Sequence, residues 1–179
     1  IREKDLGYDR SQVFSFGMRD MQKNYDAIRA ELLNKPGIQG VTSAGDNIIR
    51  IGGNTGDTDW DGKLPNQSFL IHPMDIDQNY FNFFKLKLVA GNAFMGVKAD
   101  SAHYILNETA VKEAGIKDPI GKRFKLHDQN GIIIGVVKDF NFASLKQKIE
   151  PFIFAYRPQN NWQMFVKTTG SGSPQAIAA

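Results

Sequence analysis

The sequence predicts a mixed α+β fold, and three observations carry that expectation. The chain opens on a strand-helix-strand pattern. Its middle is glycine-rich and short in regular pattern. A second strand-to-helix unit, followed by a strand pair, occupies the region from Tyr104 to Lys138. A chain of 179 residues is long enough for one domain, or for two small lobes with a real core.

Each element follows from local pattern. Val13 to Gly17 (VFSFG) reads as a first strand. From Arg19 to Asn34, apolar residues fall at Met21, Tyr25, Ile28 and Leu32, a spacing near four, and Leu33 widens the stripe, so an amphipathic helix is predicted. Pro36-Gly37 ends it. Ile38 to Ala44 is the second strand, and a crossover of this kind places the two strands parallel. Gly45 to Pro65 holds Gly52, Gly53, Gly56 and Gly62 among Asn and Asp residues, and reads as a loop or loosely patterned hairpins. Ser68 to His72 is expected to be a strand. Asp75 or Asp77 is expected to cap a helix from about Gln78 to Phe84, and Leu86 to Val89 leads to Gly91-Asn92.

The second half is more sharply punctuated. Tyr104 to Leu106 is a short strand running into a helix capped by Asn107 and stopped at Gly115. Asp118-Pro119-Ile120-Gly121 makes a turn, since Pro fixes φ and Gly permits positive φ. A strand pair follows, its second member Ile132 to Lys138, ending in Asp139-Phe140-Asn141-Phe142. Phe140 and Phe142 share one face by period two and are expected to be buried at a junction. Ser144 is placed to cap a short helix from Leu145 to Lys148. Phe152 to Tyr156 and Met164 to Lys167 read as closing strands, and Ser173-Pro174 opens a helix over Gln175 to Ala179.

Composition narrows the chemistry. Hydrophobic residues are 41% and charged residues 23%, which fits an ordinary globular fold. A net charge of +3 with scattered Lys and Arg gives no basis for a nucleic-acid partner. Without cysteine, a disulfide framework, a thiolate nucleophile and a Cys-ligated metal are excluded. No run approaches the roughly 20 apolar residues that span a bilayer.

Each candidate site in the sequence also has a plain structural role. Asp57-Thr58-Asp59-Trp60-Asp61-Gly62 matches the first half of a calcium loop. Its ninth position is Pro65 and its twelfth is Ser68, where a bidentate Glu is required, so a solvated acidic turn with Trp60 tucked inward is expected. His72, His103 and His127 lack metal-ligand spacing. Gly52-Gly53-Asn54-Thr55-Gly56 lacks the Lys and Ser/Thr of a phosphate loop. Ser144 has no identifiable base, and Asp139 at a strand end has no obvious partner and reads as a turn or cap residue. No catalytic, cofactor-binding or metal-ligating residue is assigned, no cofactor is expected, and the chain is read as a non-enzyme.

One stretch resembles a known family. Asn107-Glu108-Thr109-Ala110, Asp118-Pro119-Ile120-Gly121-Lys122 and Gly135-Val136-Val137-Lys138-Asp139-Phe140-Asn141-Phe142, with Ser144-Leu145, stand in the order found in the MacB-like periplasmic core domain. Weaker matches are Tyr80-Phe81, Lys87 to Gly91, and Phe94. That domain is the extracytoplasmic part of ABC-transporter permeases of the MacB/FtsX/LolC-LolE type. The resemblance implies two lobes. Residues 8–46 with 140–179 would form a membrane-proximal, porter-like lobe containing the β-α-β unit. Residues 47–139 would form an inserted, strand-rich, Sabre-like lobe. The crossings near Asp46 and Asp139 would then act as a hinge. It further implies an excised segment whose two ends continue into transmembrane helices of the same permease, a separate ATPase subunit or domain, a periplasmic partner protein or lipoprotein, and a periplasmic location on an inner-membrane protein. The alternative reading is a stand-alone periplasmic ligand-binding or sensory module, which needs an apolar pocket with a few convergent polar groups.

Overall fold

Strand pairing dominates the molecule, a computed structural model that describes residues 6–48, 52–142 and 148–169. In chain order the strands are β1 (Val13–Gly17), β2 (Ile38–Ala44), β3 (Thr58–Trp60), β4 (His72–Ile76), β5 (Leu88–Gly91), β6 (His103–Asn107), β7 (Arg123–Leu126), β8 (Gln129–Val137), β9 (Phe152–Tyr156) and β10 (Gln163–Thr168). The helices are α1 (Tyr25–Leu33), α2 (Tyr80–Phe84) and α3 (Glu108–Ala114). The strands form one mixed sheet in the order β1-β10-β2-β4-β9-β6-β8-β7-β3, with β5 paired to the far half of β8.

The opening β-α-β unit is present in split form. β1 and β2 each run antiparallel to β10, so they are parallel to one another with the last strand between them. The predicted helix divides: Arg19–Asn24 is a 3-10 segment and α1 follows from Tyr25. Tyr25 is buried, and Ile28 and Leu32 pack on a small core of Met18, Val41, Met164 and Val166. Met21 and Leu33 stay over a third exposed, so the stripe is narrower than the spacing predicts.

Two strand expectations are corrected. Within Gly45 to Pro65, Thr58–Trp60 forms β3 against β7. Thr58 and Trp60 face inward by period two on either side of Asp59. The strand expected over Ser68 to His72 lies instead at His72–Ile76, in parallel register with β9. Pro73 argues locally against a strand, yet it is tolerated. The N–H of His72 donates to the Pro151 carbonyl on the β9 side, so Pro73 turns its nitrogen the other way. There β2 meets β4 at a single residue pair, Ala44 with Ile76, and no ladder bond is lost.

The 104–138 region behaves as its sequence predicts. β6 and β8 are parallel neighbours, and α3 crosses between β6 and the β7–β8 hairpin. Asn107 caps α3 by accepting from the Ala110 N–H, and Gly115 closes the helix at φ +66°. The expected helices at 145–148 and 175–179 involve residues outside those described.

Three cores result. The largest is aromatic, built from Tyr8, α2, Phe140, Phe142, Phe152, Phe154 and Phe165. A second lies under α3, around Trp60, Tyr104, Phe124 and Ile133. The third lies beneath α1.

Candidate functional site

The acidic loop is already engaged by side chains of the protein. Arg123, on β7, reaches Asp59 at 2.7 Å and Asp61 at 3.1 Å. Asp57 lies 3.4 Å from His127 in the hairpin turn. The Arg123 guanidinium holds the Asp59 carboxyl below its usual range, and the two acids raise the guanidinium in turn. Trp60 is tucked inward as expected: its ring stacks 6.0 Å from Phe124, and its Nε1–H donates to the Ala114 carbonyl.

The remaining candidates separate in space. His72 pairs through Nε2 with Glu150 at 2.7 Å and packs against Phe142 and Phe152. His103 meets Asp100 at 3.0 Å. The Gly52 N–H donates to Asp46 Oδ2, so a backbone amide that a phosphate loop would aim at its ligand is spent on a carboxylate. Asp139 accepts from the Thr109 N–H at 3.0 Å and its hydroxyl at 2.7 Å, while Glu108 accepts from the Asp139 N–H. It is a cap for the first turn of α3, as the sequence suggests. Ser144 lies outside the described residues. Among the described residues, no group of three or more His, Asp and Glu converges as a metal site.

Two features were missed by sequence reasoning. The first is a buried polar knot. Asp77, wholly inside, accepts from Tyr25 Oη at 2.6 Å, from the Thr42 hydroxyl, and from the Asn79 N–H and Nδ2, both at 3.0 Å. Arg29 of α1 extends the knot, donating to Asn79 Oδ1 and to the Val41 carbonyl. Burial, and then the Asp77 charge, drive the Tyr25 pKa far upward, which keeps its hydroxyl a donor. Of the two acids proposed to start α2, Asp77 does so through Asn79. Asp75 instead faces Arg157 and Asn160. Asp77 stands in Asp75-Ile76-Asp77-Gln78-Asn79, and nothing in that polar stretch marks it for burial. The second is a gathering of lysines, with Lys85, Lys87 and Lys138 lining one cleft beside Gly7, Tyr8 and Asp9.

The expected aromatic junction is present. Phe140 and Phe142 are both buried, 5.6 Å apart, and both touch Phe152. Phe140 also meets Tyr8 edge-on. The first described turn of the chain, β4 and β9 are thereby joined through one cluster.

No family model matches the chain, and no curated protein matches it. Solved structures do. The chain is similar to the periplasmic region of MacB from Actinobacillus actinomycetemcomitans, with TM-score 0.61 and 17% identity over 96% of this chain and 81% of that one. It is similar to a domain of a putative permease protein from Porphyromonas gingivalis, with TM-score 0.59 and 16% identity over 92% of this chain and 77% of that one. The extracellular domain of the noncanonic ABC-type transporter YknZ from Gram-positive bacteria gives TM-score 0.57 and 16% identity over 92% and 78%. The chain thus has the mixed α/β fold of the MacB periplasmic domain.

Proposed function

We propose that this chain is the extracytoplasmic domain of an ABC-transporter permease of the MacB/FtsX/LolC-LolE type. The observation that supports the reading most strongly is a fold shared along nearly the whole chain, not over one supersecondary unit. The motif order from Asn107 to Phe142 agrees with it. Among the described residues no helix is long and apolar enough to cross a membrane, so spanning would fall to other segments of the permease. ATP hydrolysis would belong to a separate ATPase subunit or domain. The domain's own work would be mechanical: transmembrane movement driven by that ATPase is passed to a periplasmic partner protein or lipoprotein, or used in export. No chemistry of its own is assigned to it.

We assign residues 8–46 with 140–179 to the porter-like lobe and residues 47–139 to the inserted lobe. The three strands β1, β10 and β2 with α1 support the first, because they enclose a core of their own. The lobes share material, since β9 of the outer stretch is paired between β4 and β6 of the middle one.

The test uses the absence of native cysteine in this chain. Met95 is 78% exposed, and Met95→Cys in the parent protein gives a single reporter within this domain. A membrane-impermeant maleimide should label it in cells whose outer membrane alone is permeabilised. Labelling that appears only after the inner membrane is breached would overturn the reading.

A further inference from the structure

The long sheet runs from β1 to β3, and only one of these end strands is guarded. Asp57, Asp59 and Asp61 stand on and beside β3. Charged side chains on an edge strand deter pairing by another strand. β1, at the other end, has β10 as its neighbour. Its sequence, Val13-Phe14-Ser15-Phe16-Gly17, holds neither charge nor proline. The Thr168 N–H donates to the Gln12 carbonyl and the Met18 N–H to the Trp162 carbonyl, in the register that pairs Phe14 with Val166 and Phe16 with Met164. The even-numbered residues therefore bond to β10, and the N–H and C=O groups of Val13, Ser15 and Gly17 point out from the sheet edge. Among the described residues no strand pairs with them. Phe14 is 37% exposed, and Ser15 and Gly17 are exposed beside it.

This edge matches itself. An antiparallel copy turned about Ser15 sets Val13 against Gly17 of the second copy, Ser15 against Ser15 and Gly17 against Val13, so that all the outward groups bond in pairs. Phe14 then lies opposite Phe16 of the second copy. The two residues share one side of β1 by period two, the side on which Phe16 packs over the core beneath α1. Aromatic residues directly opposite on paired strands attract. Charge fits the same arrangement. Arg10 precedes β1 by three residues and Asp20 follows it by three, both exposed and neither in an ion pair among the described residues. The two-fold brings the start of one strand beside the end of the other, so Arg10 approaches Asp20 at both ends of the contact, while Arg19 falls beside Ser11. We propose that two copies of this chain join edge to edge through β1, antiparallel about an axis at Ser15. The contact does not depend on the permease reading.

A five-residue strand makes a small contact, so sedimentation velocity over a concentration series should show a weak dimer, with Kd on the order of 10–100 µM. Ser15→Lys sets two ammonium groups together at the axis and should leave a monomer whose fold a thermal melt confirms. Arg10→Glu should weaken the dimer by about fivefold, as should Asp20→Arg, and both changes in one chain should restore it. Residues in a bonded pair of this kind lie about 5.5 Å apart, within disulfide reach. In this cysteine-free chain, Ser15→Cys should therefore crosslink to a second copy under mild oxidation, and Lys98→Cys, exposed elsewhere, should not. Wild type that stays monomeric up to roughly 1 mM would overturn the proposal. That is the result expected if β1 pairs instead with another protein or with a segment of its own chain. A dimer that persists in Ser15→Lys, no rescue by the double charge exchange, or equal crosslinking at the two cysteine positions would overturn it as well. If Ser15→Lys fails to fold, the charge exchange and the crosslink still decide. The Met95→Cys labelling reads only the side of the membrane on which the domain lies, so either reading can fail without the other.

Discussion

Phe142 shows how a single side chain is placed by pattern and then held by neighbours. Strand β8 (Gln129–Val137) shifts register against β6 between Ile133 and Gly135, so Ile133 packs beneath α3 while Val137, four residues on, enters the aromatic cluster. Past its end, in Asp139-Phe140-Asn141-Phe142, the two rings share the buried side with Val137. Asp139 is held at α3, Phe140 and Phe142 point inward, and the Asn141 N–H reaches the Leu6 carbonyl. Phe142 is 4.8 Å from Phe152 and 5.1 Å from the His72 ring. Removing it opens a cavity that its aromatic neighbours fill poorly. Phe142→Ala should cost roughly 3–5 kcal/mol in urea unfolding at neutral pH. A cost under about 1 kcal/mol would mean the ring contributes little packing. The residues legible in the sequence were of this kind, apolar groups whose period declares their face. Asp77 and the Lys87–Lys138 pair were not legible, because their partners stand far away in the chain: Tyr25 is 52 residues from Asp77. No local window contains both members of such a pair.

At the scale of elements, Asn107 is where several links meet. Its Oδ1 accepts from the Ala110 N–H of α3 and from the Phe152 N–H that begins β9, and its Nδ2 donates to the Glu150 carbonyl. One buried amide therefore caps a helix and fixes the chain entering a central strand. The cap was readable from Asn followed by Glu108-Thr109-Ala110, and the β9 contact was not, since it spans 45 residues. Asn107→Ala should destabilise by about 2–4 kcal/mol, more than a cap alone, because the Phe152 N–H and Glu150 carbonyl lose their partner inside the protein. Asn107→Asp keeps an acceptor for both N–H groups but leaves the Glu150 carbonyl without a donor, and should fall between. Thermal melts of the three proteins check the order. Equal stability of Asn107→Ala and wild type would show that backbone pairing alone sets β9. The misplaced strand at Ser68 to His72 has the complementary cause. Pro73 reads locally as a strand breaker, and its acceptance depends on β2 meeting β4 at one residue pair, which is a tertiary fact.

The whole molecule raises the question of whether its two ends of sheet move against each other. The crossings near Asp46 and Asp139 suggested a hinge, and β2 meets β4 at one pair, so backbone bonding across that seam is thin. Side chains compensate. Phe165 of β10 lies 5.3 Å from Phe84 and 6.3 Å from Tyr80, and Tyr80 lies 6.0 Å from Phe154 of β9, so one aromatic core runs beneath both parts of the sheet. Asp77 closes the same seam from the polar side, binding α1 through Tyr25 and β2 through Thr42. Opening the seam would strip the Tyr25 and Thr42 hydroxyls from a buried carboxylate and expose aromatic surface, both costly. A close-packed body of this kind transmits displacement with little internal compliance, as the proposed coupling role requires. Spin labels at Glu31→Cys on α1 and Asp128→Cys in the β7–β8 turn, both exposed sites in a cysteine-free chain, report on it directly. Wild type should give one narrow distance distribution by pulsed dipolar spectroscopy. Tyr25→Phe, which removes one hydrogen bond and no bulk, should broaden it slightly, and Asp77→Ala should broaden it strongly or add a second distance. Two populations in wild type would instead establish that the seam opens in the resting protein, as a hinge at these crossings requires.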